Sequence, residues 1–66
     1  MTRKDFRVIV TAFRMCKPDK EYYEADVYAR YLKQWRYSVD VVAAYLATTN
    51  PRFDRQRFLT ACEYYI

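Results

Sequence analysis

Between Glu21 and Ala47 the apolar residues Tyr28, Leu32, Trp35, Val39, Val42 and Leu46 recur at steps of 4, 3, 4, 3 and 4. That spacing stacks side chains on one seam of a helix. Strand-like alternation never persists through the stretch, and neither glycine nor proline interrupts it. The spacing predicts one long helix. A second apolar stripe, Tyr23, Val27, Tyr31, Val41 and Tyr45, runs beside the first and is broken by Gln34 and Ser38, while Asp26, Arg30, Lys33 and Asp40 keep the remaining face polar. Two stripes predict two packing partners. A helix of about thirty residues is about 45 Å long, so a partner half that length covers half of it, and the two chain ends are expected to take successive halves.

Upstream, Thr2 and Asp5 have the spacing of a capping box, and Phe6, Ile9, Val10, Phe13 and Cys16 share one face, predicting a first helix that ends near Cys16. Arg3, Arg7 and Arg14 form a basic ridge along its flank, and Val8, Ala12 and Met15 lie on the side away from the core, either as incidental exposure or as a second contact surface. Pro18 places the first turn at Lys17 to Lys20. A link this short makes the first two helices antiparallel neighbours. Asp19, Glu21, Glu24 and Asp26 then suit the positive end of the second helix's dipole. Near the other end of the chain, Pro51 pushes Asn50 out of helical geometry and stops the long helix at Thr48 or Thr49. Asp54 fits as the cap of a third helix, with Phe53 and Phe58 at the spacing of a hydrophobic staple. The prediction is an all-α, single domain over residues 1–66: three helices, a long central one covered by the N-terminal and C-terminal helices.

Sixty-six residues bury only about 60% of their unfolded surface, which leaves little room for a deep catalytic cavity as well as a core. Four Phe, eight Tyr and one Trp supply large buried area per side chain, for the core or for a partner. Cys16 and Cys62 are too few and too far apart for a disulfide framework or a zinc knuckle and read as reduced thiols. Arg7 and Arg14 interrupt the apolar residues a signal peptide would need, and the longest apolar run, Val41 to Ala47, falls far short of the roughly 20 residues of a membrane span. The expected setting is the cytoplasm, with no membrane association.

The net charge of +4 excludes a DNA mimic, and all four excess positive charges fall between Met1 and Lys17. With no His and no Gly, the commonest general base and metal ligand is missing, and so is any phosphate-cradling loop. No catalytic, cofactor or metal site is predicted. For nucleic acid, Arg3, Lys4, Arg7, Arg14, Arg52, Arg55 and Arg57 are candidate phosphate contacts and Gln56 a candidate base reader. For a protein partner, the tyrosines exceed what one small core can hide, and Tyr and Arg are enriched at binding hot spots. Tyr23, Tyr31, Tyr37, Tyr45, Arg55 and Tyr64 are the candidates, with Tyr28 and Tyr31 also fitting the core boundary. Self-association as a homodimer through Tyr23, Val27, Tyr31, Val41 and Tyr45 would use the same stripe.

The run Asn50, Pro51, Phe53, Asp54, Arg57, Phe58, Ala61, Cys62 resembles the closing motif N-P-x-F-D-x-x-R-F-x-x-A-C of small, uncharacterised helical proteins of bacteriophages and mobile elements. The resemblance covers roughly the last half of the chain, and Trp35 matches a Trp common in the preceding helix there. Gly commonly follows the Cys in that family, whereas Glu63 stands here. The resemblance implies a phage or mobile-element origin. The resulting expectation is a non-enzymatic protein that binds a bacterial host protein or complex. The habit of such small proteins extends it to inhibition of a defence system such as CRISPR. The alternative is a nucleic-acid-binding accessory protein that uses the basic first helix.

Overall fold

A computed structural model describes all residues 1–66 as three helices without a strand: α1 (Arg3–Cys16), α2 (Ala25–Thr49) and α3 (Arg55–Ala61). α1 begins with the capping box: the Thr2 side chain accepts from Asp5 N–H at 3.1 Å, and Asp5 Oδ2 accepts from Thr2 N–H at 3.5 Å. It ends at Lys17, which Pro18 holds in extended geometry (φ −65°, ψ 131°). The connection to α2 is longer than the four residues expected. Asp19 Oδ1 accepts from Glu21 N–H and the Asp19 carbonyl from Tyr22 N–H, and this local turn holds the backbone out of a helix. Helix α2 therefore starts at Ala25 rather than Glu21, and of the four clustered acids only Asp26 lies in its first turn.

α2 continues without a break past Gln34 to Thr49, about 37 Å at 1.5 Å per residue, and spans nearly the whole 40 Å length of the molecule. Asn50 stops it with φ −131°, ψ 97°, its side-chain amide donating to the Leu46 carbonyl at 3.1 Å. Asp54 caps α3 by accepting from Arg57 N–H at 3.0 Å, and the Phe53 and Phe58 rings lie 5.4 Å apart as the staple spacing predicts.

Where the two shorter helices sit differs from the expectation. Both pack on the same half of α2. The Met1 amino group donates to Asn50 Oδ1, Trp35 Nε1 donates to the Phe13 carbonyl, and Arg36 and Asp40 bond Tyr64, so contacts distant in sequence reach α2 from Trp35 onward. α1 and α3 run side by side, both antiparallel to α2, and Phe6 and Phe13 meet Phe58 edge-on at 5.8 and 6.3 Å. The buried residues are Val10, Trp35, Val39, Ala43, Phe58, Leu59 and Cys62. Ala43 joins this core from outside the predicted seam because α3 approaches α2 there, and its small side chain admits the close contact. Leu32, Val42 and Leu46 pack at the core's edge, and Tyr28 is half-buried toward the uncovered end.

α3 ends in a Schellman turn: Tyr64 N–H donates to the Leu59 carbonyl and Glu63 N–H to the Thr60 carbonyl, with Glu63 at φ 62°. This left-handed position suits glycine, and a residue with a Cβ there costs about 1 kcal/mol. Glu63 is held by Arg14 (2.9 Å), while Lys17 Nζ donates to the Glu63 and Ile66 carbonyls. Glu63→Gly is expected to raise stability by about 0.5 kcal/mol, since the relieved backbone outweighs an exposed ion pair. Glu63→Ala, which loses the pair and keeps the Cβ, is expected to lower it; thermal melts of both variants check the opposite signs.

Candidate functional site

The candidate partner tyrosines are separated by the fold into three groups. Tyr64 and Arg55 meet at Asp40: Tyr64 Oη donates to Asp40 Oδ2 at 2.7 Å, and the exposed Arg55 Nη2 approaches Asp40 Oδ1 at 3.4 Å. The hydrogen bond to Asp40, with partial burial, raises the Tyr64 pKa above its ordinary value. Tyr64 also lies 6.4 Å from the Trp35 ring and under the Arg36 guanidinium, so it ties α3 to α2 rather than projecting outward. Tyr23 and Tyr31 form a second group, stacked edge to face at 5.0 Å beside an open cleft of about 390 Å³ with Cys16, Gln34, Trp35 and Ser38. Tyr31 is half exposed here, not part of the core boundary. Tyr37 and Tyr45 form the third, on the outward side of α2 with 65% and 69% of their surface exposed.

The basic candidates divide in the same way. Arg14 is paired with Glu63 and Arg55 with Asp40, while Gln56 Oε1 accepts from Tyr65 Oη at 3.3 Å. Arg52 and Arg57 are exposed and form no ion pair. Arg3, Lys4 and Arg7 also form none, and they line a shallow groove of about 510 Å³ whose floor is Val8, Thr11, Ala12 and Met15. The groove contains no acid, since Asp5 turns back to cap α1. Met15 and Val8, 82% and 60% exposed, make this the outward face that Val8, Ala12 and Met15 suggested.

The thiols differ too. Burial pushes the Cys62 pKa up to about 11, against a lowering by Arg14, so it is a protonated core residue, whereas Cys16 is exposed. No three Cys, Asp or Glu side chains converge to hold a metal ion, and no helix is long and apolar enough to cross a membrane.

These features define an all-α protein of three helices with two unlike outward faces, a basic and apolar one on α1 and an uncharged aromatic one on α2. No protein-family model, curated protein or solved structure matches the chain.

Proposed function

We propose that the protein is a non-enzymatic binding protein of phage or mobile-element origin that engages a bacterial host protein or complex through the outer face of α1. The observation that carries this reading is the combination of unpaired Arg3, Lys4 and Arg7 with the exposed apolar floor of Val8, Ala12 and Met15. Arg and Met are enriched at protein interfaces, where an apolar centre ringed by polar groups is the usual anatomy. Its like charges make the face unfit to pair with another copy of itself, so its partner is a different molecule, with acidic groups around an apolar centre. Inhibition of a defence system such as CRISPR is one form such binding takes. Nucleic acid is the second reading, favoured by three cations, Arg3, Lys4 and Arg7, on one helix without a facing acid.

The test captures partners from bacterial lysate, with and without nuclease, using the parent, Arg3→Ala with Arg7→Ala, and Val8→Glu with Met15→Glu. All of these positions are exposed, so circular dichroism is expected to be unchanged. A discrete protein retained after nuclease and lost in both variants is the expected result. Nucleic acid recovered alone, weakened by salt and lost only in the arginine variant, would replace the first reading with the second.

A further inference from the structure

The outward face of α2 carries a pattern that the reading of α1 does not use. From Tyr37 to Thr49 the only charged residue is Asp40, and its carboxylate is taken up by Tyr64 and Arg55. Around Val41, residues at three, four and seven positions on either side fall on the same face. They are Ser38 and Ala44, then Tyr37 and Tyr45, then Gln34 and Thr48, and all seven residues including Val41 are exposed. The set reads the same in both directions: a neutral polar residue, a tyrosine and a small residue flank the valine on each side.

We infer that this face is the interface of a homodimer, with α2 of two copies crossing antiparallel about a two-fold axis at Val41. A two-fold interface must be complementary to itself, and the palindrome meets that condition. Each Tyr37 lies against Tyr45 of the other copy, and Val41 meets Val41. Ser38 and Ala44 are small enough for the helices to approach to about 8–10 Å. The hydroxyls of Ser38 and Thr48 already donate to the Gln34 and Tyr45 carbonyls (3.2 and 2.7 Å), so burial leaves neither donor unpaired. The absence of charge removes the repulsion that a chain of net charge +4 would otherwise meet in pairing with itself. Arg30, one turn beyond Gln34, marks the edge of the patch.

The area sets the strength. Tyrosines offer about 150–250 Å² each, so with Tyr37 and Tyr45 about two-thirds exposed and Val41 49% exposed, the face supplies roughly 500 Å² per copy. The total of about 1,000 Å² is at the lower end for a specific interface. The dimer is therefore concentration-dependent.

Sedimentation from micromolar to near-millimolar protein is expected to show the mass rising from 8.1 kDa toward twice that value. Val41→Glu, which sets two carboxylates on the axis, should hold the mass at one copy with an unchanged helical spectrum. In a Cys16→Ser background with diamide as oxidant, Val41→Cys should cross-link. Tyr37→Cys should not, because antiparallel packing keeps its two copies a turn or more apart, beyond disulfide reach. A single-copy mass at every concentration would overturn the inference and leave the face to another molecule. So would a dimer indifferent to Val41→Glu, or Tyr37→Cys cross-linking as readily as Val41→Cys. None of these variants touches the α1 groove, so this result and the lysate capture fail or succeed separately.

Discussion

Phe58→Ala is expected to leave the protein largely unfolded. The Phe58 ring is fully buried where all three helices meet, with Phe6 and Phe13 from α1 and Phe53 from the turn against it. Removing a ring from a packed core costs about 3–5 kcal/mol, combining lost transfer energy with a cavity that the surroundings close only in part. A single core in a chain of this size supplies about 3–5 kcal/mol in all. One substitution thus removes most of the margin. Far-UV circular dichroism with chemical denaturation measures it, and a cooperative transition within 1 kcal/mol of the parent would show that the three helices do not share Phe58 as their common contact. Phe58→Leu, which keeps most of the volume, should retain a folded baseline.

Trp35→Ala is the second large effect, about 3–5 kcal/mol, and Trp35→Phe separates its parts. The indole N–H donates to the Phe13 carbonyl at 2.9 Å. That carbonyl belongs to the last four of α1, which have no backbone partner within the helix, and besides the indole only the weak Cys16 thiol reaches it from a side chain, at 3.6 Å. Trp35 therefore finishes α1 from another helix. Phe in its place fills most of the volume and leaves the carbonyl short of a donor, at about 1–3 kcal/mol. It also weakens the contact of Lys17 Nζ, 5.3 Å from the ring centroid. Equal stability of the Phe variant and the parent would mean that the bond contributes nothing. As the only Trp, Trp35 reports on the parent directly: buried, it should emit in the blue and shift to the red with unfolding.

Much of the fold was legible because its signals are local. A capping box needs two residues three apart, a proline acts on its immediate neighbour, and a staple spans five positions. Thr2, Asp5, Asn50, Pro51, Phe53, Asp54 and Phe58 accordingly take the roles their spacing implied. The start of α2 was not legible because Asp19 can either lead a helix or close a turn on its own backbone, as it does here toward Glu21 N–H, and side-chain spacing does not distinguish the two. The candidate sites were less legible. Arg14, Arg55 and Tyr64 read as available groups, yet their partners Glu63 and Asp40 lie 49, 15 and 24 residues away along the chain.

Local patterns along the chain established that there are three helices, which stripe of each is apolar, and where the first two stop, because these depend on neighbours within one or two turns. Helix length assigned the short helices to successive halves of the long one, and packing overturned that: Phe58 draws α1 and α3 together, and the pair settles side by side on the half of α2 that carries Trp35, Val39 and Ala43. That choice takes Arg14, Arg55 and Tyr64 into internal bonds and leaves Arg3, Lys4, Arg7, Tyr37 and Tyr45 facing outward, because an ion pair or a buried ring depends on distance through space.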